Sequence, residues 1–172
     1  MKNKLLFLFL GFVLGVLSYY SISLILFPDS VSSVFSPGAE EEVIDLINSA
    51  ESSIYIEMYV FSSDDIIYSL INAKKRGVDV RIILEKRVLD DKNLITYNRL
   101  EDTGIEIVWA SENFKLTHSK FMIIDKKLVF VGSHNFSNSA LNFNREASVI
   151  IKNPKIVNDF LEVFEEDWVI AI

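Results

Sequence analysis

The sequence predicts an α/β fold, one sheet covered by helices on both faces, preceded by a single N-terminal transmembrane helix. Three observations carry this. Leu5–Phe27 is a run of 23 residues without a charge, enough at about 1.5 Å per residue to cross roughly 30 Å of hydrocarbon. Ser53–Val60 and Val78–Leu84 are short apolar runs separated by an amphipathic stretch, the strand–helix–strand pattern of a parallel crossover. From His118 onward, short apolar runs follow one another closely, with a tight turn at Asp125-Lys126-Lys127.

Composition narrows the choices. A chain of 172 residues supports one domain with a real core and hardly two. There is no Cys, which excludes a disulfide framework and a Cys-based metal site. With Lys2 and Lys4 set aside, 15 basic residues face 24 acidic ones. So acidic a domain is a poor general binder of polyanions, although a local basic patch can still serve.

Taken in order, residues 1–4 are a basic start and residues 5–27 the anchor, with a cleaved signal peptide as the alternative. Lysines before the span and acids after it place the N-terminus in the cytoplasm and the domain outside. Gly11 and Gly15 form a G-x-x-x-G, a spacing that lets membrane helices approach closely. Residues 28–38, rich in Ser and Pro, read as a linker, and 39–172 as the domain.

Ser36-Pro37 opens a helix whose Val43, Leu46, Ile47 and Ala50 share a face. Ser53–Val60 is apolar on both faces except for Glu57, hence a central strand; Glu57 reads as a satisfied buried carboxylate or an acid near a site. Asp64 caps the next helix and Gly77 ends it after Lys74-Lys75-Arg76. Val78–Leu84 is a strand, Leu94–Asp102 a helix closed by Gly104, and Ile105–Trp109 a short strand. Ala110–Leu116 is a loop, read either as plain surface or as a segment whose Phe114 and Lys115 stack on and steer a substrate. Glu146–Ile151 is a further strand, and Lys155–Val169 a closing amphipathic helix with Ile156, Phe160, Val163 and Phe164 inward.

The chemistry gathers between His118 and Asn135. His118 and Lys120 are two apart, so an extended chain puts both on one face with Met122 and Ile124. A strand otherwise apolar has little reason to carry an imidazole and an ammonium unless an anion sits over them. Leu128–Val131 returns as a second strand, and Gly132 permits a sharp bend or close backbone approach. Ser133 and Asn135 then add a hydroxyl and an amide, both donors to phosphate oxygens.

The pattern H-x-K-x4-D-x6-G-S-x-N, filled by His118, Lys120, Asp125, Gly132, Ser133 and Asn135, resembles that of the phospholipase D superfamily. It is similar to the family's small single-motif members, and the likeness extends over roughly residues 38–168. The resemblance implies a phospholipase D-like mixed sheet sandwiched by helices. It implies a catalytic set of His118, Lys120, Asp125 and Glu146, with Asp125 bracing the turn and Glu146 orienting the histidine. His118, Lys120, Ser133 and Asn135 would hold the phosphate. No cofactor and no metal is implied. The reaction would run through a phosphohistidine on His118, with a second imidazole protonating the leaving oxygen.

The chain holds only one other histidine, His134, in the variable place of G-S-x-N, where it reads as a loop-facing polar residue. The second imidazole would therefore be His118 of another copy, in a homodimer with a composite site. Three functions follow as expectations. The first is a nucleic-acid endonuclease, the second a membrane phospholipase D acting on headgroup diesters. The third is an inactive membrane-tethered binding protein.

Overall fold

A computed structural model describes residues 2–26 and 30–172 of the chain. It falls into two units, Met1–Ser30 and Val31–Ile172. The first holds helix α1 (Lys2–Leu26). The expected membrane localisation, with an N-terminal transmembrane helix, does not stand: among the described residues no helix is long and apolar enough to cross a membrane. Phe27, Pro28 and Asp29, where anchor was expected to meet linker, lie outside the described residues.

The second unit is a seven-stranded sheet with helices on both faces. Its elements are β1 (Ser30–Phe35), α2 (Ala39–Ser49), β2 (Ser53–Met58), α3 (Asp64–Lys75), β3 (Asp79–Leu84), α4 (Lys92–Glu101) and β4 (Glu106–Trp109). There follow β5 (Lys120–Ile124), β6 (Leu128–Gly132), α5 (Asn138–Asn142), β7 (Ala147–Lys152) and α6 (Pro154–Ile170). The strand order is β1-β7-β6-β5-β2-β3-β4. β2, β3 and β4 are parallel, whereas β5 runs antiparallel to β2, and β6 and β7 continue the antiparallel meander. The sheet is therefore mixed.

Alternation along the central strands builds two cores. Ile54, Ile56, Met58, Met122 and Ile124 pack under α2 and α3, while Tyr55, Phe121 and Ile123 pack with Val157, Phe160 and Phe164 of α6. Strands apolar on both faces are the signature of a sheet covered twice.

Local chemistry departs from expectation at three places. β1 forms inside the expected linker, because Val34 is buried while its neighbours are exposed, as an edge strand allows. α2 starts at Ala39, after Gly38 at φ 99° rather than at Ser36-Pro37. α3 is capped by Ser63, whose hydroxyl accepts from the Ile66 N–H, not by Asp64.

The β5–β6 connection shows what Asp125 does. Asp125 and Lys126 have φ of 53° and 54°, and the Lys127 N–H donates to Ile124 O at 2.9 Å. This is a type I′ turn, and Asp tolerates its left-handed backbone. The Asp125 carboxylate accepts from the N–H groups of Glu51, Ser52 and Ser53 and from the Ser52 hydroxyl. Burial pushes its pKa up, but these donors outweigh it and hold the group below the usual 3.8. The stabilisation is thus present above that value and is lost as pH falls through the lowered pKa. Asp125→Ala is expected to cost about 2 kcal/mol at neutral pH, and Asp125→Asn to flatten the acid limb of stability; urea unfolding across pH measures both. Gly132→Ala should also destabilise, by about 1–3 kcal/mol. A Cβ there would lie 2.5 Å from Ala147 O and closer still to Ser148.

Candidate active site

Strand register assembles the site. Lys120 lies opposite Met58, Phe121 opposite Val131, and Gly132 opposite Ser148. The segments that flank these pairs therefore leave the sheet at one edge: Tyr59-Val60 after β2, His118-Ser119 before β5, Ser133 to Asn135 after β6, and Glu146 before β7. Parallel strands β2, β3 and β4 end at this same edge, the side on which open α/β sheets bind ligands.

His118 is exposed and Lys120 buried. The Lys120 ammonium donates to His118 O at 2.8 Å and lies 3.3 Å from both imidazole nitrogens. Burial pushes its pKa down, and the nearby Glu146 charge pulls it back up. Tyr59 packs against both groups: its ring is 4.4 Å from the imidazole centroid and 5.3 Å from the ammonium. Ser133 donates to Glu146 at 2.5 Å and accepts from the Ala147 N–H at 3.0 Å. Asn135 accepts from the Val60 N–H at 3.2 Å; with its oxygen so engaged, it offers its NH2 group. The edge thus presents an imidazole, an ammonium, a hydroxyl and an amide, a set suited to a phosphate group.

Three expected residues sit differently. Asp125 is at the far end of β5, about 20 Å along the chain from His118 at roughly 3.3 Å per residue, and does not join the site. The Glu146 carboxylate is held by Ser133 and by Asn144 at 3.0 Å, rather than by the His118 imidazole. Those hydrogen bonds come first in holding its pKa down, with the charges of His134 and Lys120 adding to them. His134 is not loop-facing but fully buried, its Nδ1 2.7 Å from the Ser148 hydroxyl. Burial pushes its pKa down, and the Glu146 charge partly offsets this.

Other residues of the site were not picked out from sequence. Tyr59 is one. Glu85 is another: its buried carboxylate accepts from Arg87 Nε at 2.6 Å and from the Thr117 N–H at 2.7 Å. Burial raises its pKa, but Arg87 and the Thr117 N–H more than reverse that. Arg87 also donates to Phe114 O at 2.9 Å. Asn93 donates to Tyr59 O and Glu85 O at 2.7 and 2.8 Å. Together they tie the loop before β5, and so the approach to His118, onto the end of β3. A Glu directly after the strand that ends at Leu84, two residues before Arg87, was the available signal. Beside the site opens a cavity of about 620 Å³ whose walls include Phe114, Leu116, Phe121, Phe160 and Val163, with Glu57, Asp159 and Asp167 among its polar groups. Among the described residues, no group of three or more His, Asp or Glu side chains is gathered as a metal site.

Fold and edge define an α/β protein that handles phosphoryl groups, and comparison with known proteins agrees. Residues 43–168 match the family described as "Cardiolipin synthase, PLD-like domain". The chain is 38% identical over 151 residues to a Rickettsia prowazekii protein named "Phospholipase D", covering 85% of this chain and 71% of that one. It is 33% identical over 119 residues to the Mus musculus "Mitochondrial cardiolipin hydrolase", covering 69% and 53%. Its structure resembles Nuc of Salmonella typhimurium, a phospholipase D family member, with a TM-score of 0.78 and 35% identity, over 84% of this chain and 97% of that one. The chain belongs to the phospholipase D superfamily and is a hydrolase of phosphodiester bonds.

Tyr59 supports both the imidazole and the ammonium, and a ring over a cation contributes about 1 kcal/mol. Tyr59→Ala is expected to lower kcat/KM for a diester about five- to tenfold without unfolding the chain, measured by steady-state kinetics alongside circular dichroism.

Proposed function

We propose that this chain is an endonuclease that cleaves nucleic-acid phosphodiester bonds through a covalent phosphohistidine on His118. The observation that carries the reading is the convergence of exposed His118 with Lys120, Ser133 and Asn135 at one open edge. An imidazole nitrogen of His118 attacks phosphorus, and the bond to the leaving oxygen breaks as a second imidazole gives that oxygen a proton. Water then attacks the phosphohistidine, the P–N bond breaks, and the water proton passes to the second imidazole. Lys120 and Asn135 hold the phosphoryl oxygens as charge builds on them, and Ser133 joins them by turning its one hydroxyl proton from Glu146 to the phosphate. Glu146 lies behind Ser133 and tunes the hydroxyl and the Lys120 charge; a role in orienting an imidazole belongs to the assembled site.

The proton donor is His118 of a second copy. His134 is excluded as donor by its burial and its bond to Ser148. A two-fold homodimer brings the same histidine from both chains to one axis. A second reading, hydrolysis of phospholipid headgroup diesters, is favoured by the apolar walls of the neighbouring cavity and by the names of the relatives. Nucleic acid is preferred for the similarity to Nuc over nearly the whole of that chain.

Cleavage of single-stranded DNA, RNA and anionic phospholipid vesicles by the full chain, against His118→Ala, separates the two readings. Activity is expected to persist in excess EDTA, because every charge and proton role is filled by a side chain. Loss in EDTA with recovery on one divalent ion would overturn this route. His118→Ala and Lys120→Ala should abolish cleavage with the fold intact, and His118→Ala should form no acid-labile phosphoenzyme. In mixtures with excess His118→Ala chains, activity per total chain should fall as the square of the wild-type fraction. A linear fall would mean a complete site in each chain.

A further inference from the structure

Glu57 is a carboxyl group buried within a strand. It is 2% exposed, on the α6 face of central strand β2. Opposite it across the ladder is Phe121, which makes Ser119, two residues earlier on the same face, its diagonal neighbour. The Ser119 hydroxyl donates to Glu57 Oε1. Among the described residues, Oε2 meets no N–H or O–H donor. The group beside it is another carboxyl, Asp167 of α6. Two carboxyls so placed satisfy each other only by sharing a proton.

The consequence runs through Ser119. That residue lies between His118 and Lys120, and neighbours on an extended chain point to opposite faces. Whatever holds Ser119 toward α6 holds the histidine and lysine toward the reacting edge. We propose that Glu57 is a positioning residue for the reaction: as the neutral acid, sharing its proton with Asp167, it pins Ser119 and through it His118 and Lys120; its ionisation sets two neighbouring carboxylates against each other in a buried seat and drives Glu57 out of it, which loosens the pin although a carboxylate is the better acceptor for Ser119. This rests on the reading of His118 and Lys120 as the reacting pair.

The surroundings agree on direction. Burial pushes Glu57 up first, the Ser119 hydrogen bond opposes it, and Asp167 pushes it further, to about 7. The charged and titratable groups around the same cavity are Asp167 and Asp159 from α6, and His118 and Lys120 from the start of β5; β3 presents Ile83 to Glu57 across the ladder. Asp159 is paired with Lys155. A folded-state pKa above the usual 4.5 means the native chain keeps a proton that the unfolded chain releases. The stabilisation is complete below 4.5 and is lost as pH rises through about 7.

The test uses the full chain and bis(p-nitrophenyl) phosphate, from about pH 5 to about pH 9. Wild-type kcat should fall as pH rises through about 7, with KM nearly constant. Glu57→Gln keeps both an acceptor for Ser119 and a donor for Asp167. It should hold most of the acid-side kcat and carry it to alkaline pH. Asp167→Asn removes a charge that raises Glu57, so the fall should move to lower pH, while Glu57→Ala should lose about tenfold in kcat at every pH. A Glu57→Gln profile that superposes on wild type overturns the proposal. A second readout needs no turnover. The Glu57 side-chain carbon and the backbone amides of Ser119 and Lys120, followed by NMR, should share one midpoint, and the amide phase should vanish in Glu57→Gln. Amides that ignore Glu57 overturn the proposal even in an active enzyme. Shared titration in a chain inactive on every diester would retain the pin and dismiss the functional reading.

Discussion

Lys120 faces Met58 across an antiparallel ladder, and the arrangement of the active edge depends on that one pairing. Had β5 joined β2 in parallel, its N-terminal end would lie at the opposite side of the sheet. His118 would then be far from Tyr59, and the C-terminal ends of β2, β3 and β4 would lack the His118 imidazole and the Lys120 ammonium. A slip by one residue would be as damaging, since it would turn Lys120 into the α6 core and Phe121 out of it. Register is protected because both faces of β5 are buried in different cores.

Polar braces fix what the ladder leaves free. Glu85, Arg87 and Asn93 tether the loop that enters β5, and Asp125 ties the strand's other end to the start of β2. Each is a charged or amide group whose partners are mainly backbone, so each converts a flexible segment into a positioned one at low strain. Gly132 completes the set by letting β6 and β7 approach where a side chain would collide.

Much of this was legible in the residues. The H-x-K spacing announced two side chains on one face, and the apolar runs announced a sheet covered twice. The motif places His118, Lys120, Ser133 and Asn135 at one edge. What stayed hidden was set by pairing between distant segments. Tyr59 meets His118, and Asn135 meets Val60 across 75 residues; no local pattern encodes either. His134 looked loop-facing because its neighbours are loop residues, yet the bend after Gly132 turns it into the core. Asp64 looked like a cap because acids favour helix starts, but Ser63 stood one place nearer. The N-terminal run is apolar and helical, but among the described residues it does not supply a membrane-crossing helix.

The meander of β5, β6 and β7 closes on short connections, so its strands find one another at small entropic expense. The bond between Ser119 and Glu57 spans 62 residues. Chains with long closures reach their last contacts late, after local structure has formed. The meander is therefore expected to gather His118, Lys120, Ser133 and Glu146 first, with docking onto β2 supplying Tyr59, Val60 and Glu57. On that order, a chain would carry its reactive groups before it could use them, and competence would arrive with the docking of the meander onto β2.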